Sequence, residues 1–251
     1  MVRIRCVWGE LCVNPVDEAK KIIEKAYSEG RRHLWEDEAK YLCSLYGIPV
    51  AKSKVAKSEE EALKLAHEIG YPIVMKIVSP DILHKSDVGG VVVGVKNDEE
   101  LIKTYRQIME NVKRKAPNAR VIGILIQECA PQGLEVIVGA VKDPFFGHAV
   151  MFGLGGIFVE VLKDVTFRIT PISPEEAEEM VKEIKAYPVL EGVRGAAPRD
   201  IDALVDIITK VSKLLDYHPE IVEMDLNPIM LYEKGKGAKV IDARVLLEPK
   251  K

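Results

Sequence analysis

Three placements in this sequence ask for a chemical reason. The run Pro72-Ile73-Val74-Met75-Lys76-Ile77-Val78 reads as a core strand with an ammonium group in its middle. A buried charge is costly unless it is paired. Lys76 therefore either snorkels to water or is held rigidly on a sheet as a phosphate ligand. Near the C-terminus, "EMDLNPIM" and "VIDARVLL" set Asp225, Asn227 and Asp242 inside apolar strands. Asp225 and Asn227 alternate, so a strand points both to one face, and a hairpin could bring Asp242 beside them. Two carboxylates and an amide oxygen form a hard site of the kind Mg²⁺ takes together with phosphate and water. The plainer reading is a buried salt bridge and a turn-capping Asn-Pro. The third placement is "SPDILHKSDVGGVVVGV", residues 79–95, a short connection between two core strands that carries His84, flanking charges and Gly89-Gly90. Histidine is largely an uncharged nucleophile near neutral pH, yet the loop alone equally suits a solvent-exposed side chain. Backbone amides near Gly89 and Gly90 form a candidate anion nest.

Weaker signals surround these. "FGLGGIFVE" has a G-x-G-G after a strand but neither Walker A spacing nor its lysine. Arg168 and Arg194 are either surface arginines or cations that neutralise phosphates. Glu128 and Glu135 bracket an expected junction between subdomains, where ligand sites are common. Backbone groups of Glu128, Cys129 and Ala130 suit an adenine ring, and a carboxylate suits ribose hydroxyls. His33, His67, His148 and His218 read as surface, capping or structural residues.

The elements that must position these groups follow from periodicity. Apolar stripes predict helices over 15–29 and 33–46, the second ending at Gly47-Ile48-Pro49. Ser58 with Glu61 three residues on predicts an N-cap and a helix to about Ile69. Strands are expected at about 72–78 and 90–96, then a helix from Asn97 or Asp98 to about Lys115. The apolar run 119–130 predicts a strand buried on both faces, followed by strands at 134–141 and 148–152. "VTFRIT" alternates as a strand, and Ser173-Pro174-Glu175-Glu176 starts a helix. An amphipathic helix over 200–215 precedes closing strands at about 220–225 and 238–246. Residues 2–8 read as a short strand or an arm. Helices and strands mix without regular βαβ alternation, which predicts an α+β layered protein of two subdomains, with the break at "CAPQG", residues 129–133.

Composition narrows the function class. The chain has 251 residues, 47% apolar and 30% charged, with a formal net charge of −3. That charge gives no support for nucleic-acid or anionic-membrane binding. No run approaches a membrane span, and "MVRIRCVWGELCVNP" lacks the apolar core of a signal peptide. Cys6, Cys12, Cys43 and Cys129 form no C-x-x-C pair, which fits reduced thiols in a cytoplasmic protein.

Taken in order, these residues resemble the ATP-grasp fold. "IGYPIVMKIVSPDILHKSDVGGVVVGV", "FGLGGIFVEVLKD" and "MDLNPIM…VIDARV" are similar, more narrowly, to the nucleotide-binding β subunit of ADP-forming acetyl-CoA synthetases, relatives of succinyl-CoA synthetase. The resemblance covers about residues 30–247. It implies an N-terminal arm and helix over 1–33, an ATP-grasp N-terminal subdomain over 34–128 and a C-terminal subdomain with the metal site over 129–251. It further implies that Lys76 and Arg194 bind nucleotide with Gly89 and Gly90, and that Glu128 to Ala130 form the adenine hinge. Glu135 would bind ribose, and Asp225, Asn227 and Asp242 would hold Mg²⁺. His84 would be a phosphohistidine on a swinging loop, exchanging its phosphoryl group with ADP or ATP. The implied partner is an α subunit with CoA-binding and ligase domains, in an α2β2 assembly. Two rival expectations are a self-contained ATP-grasp carboxylate ligase, which does not require His84, and a non-catalytic nucleotide-binding subunit.

Overall fold

The structure, a computed structural model, describes residues 14–249 apart from 83, 157, 158, 160 and 194. It is an α+β protein built on two antiparallel sheets. The smaller has the order β1-β4-β2-β3, from β1 (Ser53–Ala56), β2 (Ile73–Val78), β3 (Val91–Val95) and β4 (Gly123–Glu128). The larger runs β10-β8-β5-β6-β7, with β9 beside β8. Its strands are β5 (Leu134–Asp143), β6 (Gly147–Leu154), β7 (Val165–Ile169), β8 (Ile221–Leu231), β9 (Ala238–Val240) and β10 (Ala243–Leu247). The chain leaves one sheet at β4 and enters the other at β5. The crossing spans residues 129–133.

Alternation along the strands decides which groups meet. In β2, Ile73, Met75 and Ile77 pack with Ile124 and Ile126 of β4 against α3 (Glu59–Ile69) and α4 (Asp98–Lys115). Lys76 on β2 and Gln127 on β4 consequently point away from that helical layer. Both helices start as their sequences predict: the Glu61 amide donates to Ser58 Oγ (3.2 Å), and the Glu100 amide to Asn97 Oδ1 (2.9 Å). In the larger sheet, Val136, Val138 and Ala140 of β5 share a core with Met224 and Leu226 of β8. That core is closed by α5 (Pro174–Lys182) and α7 (Ile201–Tyr217), with the short α6 (Tyr187–Glu191) between them. Asp225, paired with Gly139 and Arg244, faces the other way.

Several elements differ from the sequence expectation: the closing strand expected at about 238–246 is two, β9 and β10, with Asp242 between them, and α6 was not expected. β1 is missed because "SKVA" is four residues long and half polar; it forms by pairing with β4, from Ser53↔Gln127 to Ala56↔Ile124. More consequential is α2 (Glu36–Leu45), which a division at residue 34 assigns to the smaller sheet. Its Ala39, Leu42 and Cys43 instead join the core of the larger sheet, together with Ala19, Ile22, Ile23 and Ala26 of α1 (Pro15–Ser28). Helix α2 therefore stands on one sheet and aims its polar side at the other. The expected arm at residues 2–8 lies outside the described residues.

Candidate functional site

Lys76 emerges from β2 among protein groups, 6% exposed, and makes no escape to water. Its ammonium donates to Glu36 Oε1 (3.0 Å) and to Asp242 Oδ1. Glu36 lies in the first turn of α2, where three acids face the helix N-terminus. Its carboxylate takes two more ammonium groups, from Lys40 one turn along (2.9 Å) and from Lys85 in the loop after β2 (3.1 Å). Lys40, 2% exposed, also donates to Gln127 Oε1 at 2.6 Å. Two carboxyl groups and three ammonium groups thus gather from β2, α2, the His84 loop and the segment before β10.

The titration of these groups reflects crowding. Burial works against ionising Glu36, but a hydrogen bond from Asp242 and the charges of Lys40, Lys76 and Lys85 outweigh it. Glu36 is held far below the usual carboxylate range. Burial, with the hydrogen bond and charge of Glu36, pushes Asp242 up, and Lys76 and Lys40 only partly offset this. Burial alone would depress Lys76; Glu36 and Asp242 more than reverse it, and its ammonium is raised. Lys40 is lowered, because burial dominates over its partners.

Backbone register sets two of the expected metal residues, Asn227 and Asp242, side by side. The Asn227 amide donates to the Asp242 carbonyl at 3.1 Å, and Ala243 pairs with Leu226. Asp225 is pushed up chiefly by burial, with Arg244 opposing and Glu223 reinforcing. Its carboxylate has no hydrogen bond or ion pair among the described residues. An unpartnered, half-buried carboxylate two residues before Asn227 on the same strand suits a hard cation. Asp242 keeps 40% of its side chain exposed. No cage of three or more His, Cys, Asp or Glu side chains occurs among the described residues. Mg²⁺ needs none, since it binds through one or two carboxylates plus phosphates and water.

The other expected residues divide. Glu128 ends β4, and its carboxylate is engaged by Lys239 of β9 and by the Lys52 amide (3.1 Å). Burial opposes its ionisation, but these contacts hold it below the ordinary range. The Cys129 amide donates to the Pro72 carbonyl at 3.3 Å, while the peptide groups of Ala130 have no partner among the described residues. Glu135 is exposed at the start of β5, with its carbonyl bonded to the Gly155 amide (2.8 Å) of the G-x-G-G segment. Arg194 lies outside the described residues. Arg168 is paired with Glu183 on the surface.

The anion nest at Gly89-Gly90 needs correction. The Gly89 amide donates to the Ser86 carbonyl (2.9 Å) and the Gly90 amide to the Lys85 carbonyl (2.8 Å). Both donors are spent on folding the loop itself. Gly89 has φ +66°, and a Cβ on Gly90 would lie 2.4 Å from Ile77 Cγ2. The glycines thus permit a tight return into β3. His84 sits in this loop, exposed, with its carbonyl accepting from the Asp87 amide (3.2 Å).

This arrangement of two sheets has a solved counterpart. The sequence matches the ATP-grasp domain over residues 25–247. A curated relative, the acetate–CoA ligase [ADP-forming] I subunit beta of Pyrococcus furiosus, is 56% identical over 92% of this chain and 99% of its own. The chain belongs to the ATP-grasp family of ADP-forming acetate–CoA ligase β subunits. Among solved structures, the dinucleotide-forming acetyl-coenzyme A synthetase 1 of Ca. Korarchaeum cryptofilum, in complex with coenzyme A, Ca-AMPCP and HgCl+, superposes with a TM-score of 0.88. It is 53% identical, over 92% of this chain and all (100%) of that one. A selenomethionine form of that synthetase, with coenzyme A and Mg-AMPPCP, has its phosphohistidine segment pointing towards the nucleotide binding site. Its TM-score is 0.81 at 47% identity, over 92% of this chain and 100% of that chain.

For this ATP-grasp chain, sequence reasoning missed Glu36, Lys40, Lys85 and Gln127. One signal was present for two of them. Glu36 and Lys40 are four apart and share a helix face, at the border of the apolar stripe of Ala39, Leu42 and Cys43. Lys85 looked like an ordinary charge on a loop. Gln127 lay in a run too apolar to single it out.

Proposed function

We propose that this chain is the nucleotide-binding subunit of an ADP-forming acyl-CoA synthetase, with acetate as the acid, and that His84 carries a phosphoryl group to ADP. The overall reaction would be acyl-CoA + ADP + phosphate ⇌ acid + CoA + ATP. The observation that carries this reading is the meeting of Lys76 and Asp242, from opposite sheets, in one buried polar cluster that also holds the residue next to His84. A self-contained ligase has no need of that connection to a histidine loop.

In this reading Lys76 is a fixed cation for the phosphates, and binding exchanges its carboxylate partners for phosphate oxygens. Adenine is met by the free peptide groups of Ala130, and ribose by the exposed carboxylate of Glu135. Asp225, Asn227 and Asp242 hold Mg²⁺. When bound, the ion neutralises charge on the phosphates. Positioning and charge stabilisation then account for most of the catalysis. For ATP synthesis, an oxygen of the ADP β-phosphate forms a bond to the phosphorus on His84. The P–N bond breaks, and its electron pair returns to the imidazole ring. The phosphoryl group reaches His84 from an α subunit that bears the CoA-binding and ligase domains.

The test is co-purification with that subunit, followed by acyl-CoA-dependent ATP formation. ATP labelled in its γ-phosphate should leave an acid-labile, base-stable label on His84, and His84→Ala should abolish coupled synthesis while keeping nucleotide binding. Full coupled activity in His84→Ala, with no label on the unchanged protein, overturns the reading in favour of a self-contained ligase.

A further inference from the structure

The His84 loop is anchored at several points. The Arg120 amide donates to Asp81 Oδ2 (2.7 Å), Lys115 Nζ to the Asp87 carbonyl (2.8 Å), and Asn111 Nδ2 to the Gly89 carbonyl (3.3 Å). These three contacts lead to α4 or to the segment following it, on the helical side of the smaller sheet. Among the described residues, one side-chain contact of the loop leads the other way, into the polar cluster: Lys85 to Glu36 at 3.1 Å. Glu36 is 11% exposed and Lys85 32%, so this ion pair is shielded from solvent more than a surface pair. The same carboxylate holds Lys76, and α2 that carries it is packed into the core of the larger sheet.

We propose that Glu36 is a positioning residue for the phosphoryl carrier: through Lys85 it sets the place of His84 relative to Lys76 and Asp242. The inference rests on the phosphohistidine reading above. Glu36 touches neither nucleotide nor phosphoryl group in this scheme. It occupies Lys76 in the place of a phosphate oxygen, and incoming phosphates compete with it there, while its bond to Lys85 holds the loop. Loss of its charge should therefore move two quantities in opposite directions. Nucleotide binding should hold or tighten, because a competitor is gone. Phosphorylation of His84 should slow, because misplacement of a reacting group by an ångström or so costs up to about a hundredfold.

The experiment measures the initial rate of His84 labelling by γ-labelled Mg·ATP in the full chain, with Mg·ADP affinity by calorimetry. Lys85→Met and Glu36→Gln should each lower the labelling rate about tenfold or more, without weakening Mg·ADP. Lys85→Arg, which keeps the ion pair, should restore most of the rate. The double variant Glu36→Gln/Lys85→Met should be no slower than the slower single variant, since both remove one link. The proposal is overturned if both single variants label at the unchanged rate, if their losses multiply, or if Lys85→Arg is as slow as Lys85→Met. The two Lys85 variants decide the matter even where Glu36→Gln does not fold. Absence of label on the unchanged protein instead strikes the phosphohistidine reading itself, and this inference falls with it.

Discussion

At the scale of residues, the site is a set of charges whose partners are partly other charges. Lys76 has two carboxylates in reach, so a nucleotide phosphate enters by exchange. Lys76→Ala removes one charge-assisted contact, worth about 1.5–3 kcal/mol. Calorimetry should show nucleotide affinity falling roughly 10- to 150-fold with or without Mg²⁺. Unchanged binding would place the phosphates elsewhere. Asp225 behaves differently. Burial raises its pKa, so the folded state holds a proton more readily than the unfolded chain. The ionised group is then a liability that is full above its raised folded pKa, shrinks as pH falls below it and is gone only below the unfolded pKa. Asp225→Asn should stabilise the nucleotide-free chain, with a melting point higher by about 2–4 °C if ~1 kcal/mol is recovered. The same variant should bind Mg·ADP more weakly and free ADP almost unchanged. A lower melting point together with unchanged Mg·ADP affinity would sink the metal assignment of this residue.

At the scale of elements, α2 is held at its N-terminus by a small polar assembly. Glu38 Oε2 accepts from the Trp35 amide (3.0 Å) and from Arg31 Nη1 (2.7 Å), and Oε1 accepts from Arg31 Nη2 (3.1 Å). Burial opposes the ionisation of Glu38, but Arg31 and the backbone contact outweigh it and hold its pKa down. A depressed carboxylate contributes stability above its unfolded pKa, and that contribution is lost as pH falls through the lower folded value. Glu38→Gln should therefore destabilise at pH 7 and leave stability less sensitive to acid. Denaturant titrations at pH 7 and pH 3 check this, and an equal loss at both would show that the charge is idle. The loop after β2 allows a second test at this scale. Gly90→Ala pushes a methyl against Ile77 and the Lys85 carbonyl. The expected loss is about 1–3 kcal/mol by overpacking, with slower His84 labelling because Lys85 is displaced. A stable variant with normal labelling would show that the loop yields without consequence.

At the scale of the whole molecule, two sheets with separate cores meet across ionic contacts. Lys76–Asp242 and Glu128–Lys239 join smaller sheet to larger, at the phosphate end and the hinge end of the proposed nucleotide site. Nucleotide that replaces the first contact should bind the two sheets together in its own right. Binding to the folded state alone raises stability by about 2.7 kcal/mol at a hundredfold excess over Kd. Thermal unfolding with Mg·ADP should thus rise in midpoint and sharpen into a single transition. The isolated chain should nevertheless form no ATP from acyl-CoA, and robust turnover by this chain alone would refute the two-subunit reading. No helix among the described residues is long and apolar enough to cross a membrane.

Much of this architecture was legible from local pattern. The apolar periods marked most helices and strands, and the Ser58 and Asn97 caps marked helix starts. Lys76, Asp225, Asn227 and Asp242 stood out because a charged or amide group inside an apolar strand violates the pattern around it. Tertiary structure alone decided the rest. Glu36 and Lys85 violate nothing locally: one is an acid at a helix N-terminus, the other a lysine on a loop. Their role comes from contacts 40 and 49 residues apart in sequence, Glu36 to Lys76 and Glu36 to Lys85. Helix α2 likewise joins the distant sheet because its Ala39, Leu42 and Cys43 fill space left there, which no neighbour in sequence reveals. A backbone amide at Gly89 or Gly90 is a donor in any sequence, and only the folded loop shows that its own carbonyls have claimed it. Local pattern specifies what a residue needs; the packing of remote elements settles which partner supplies it.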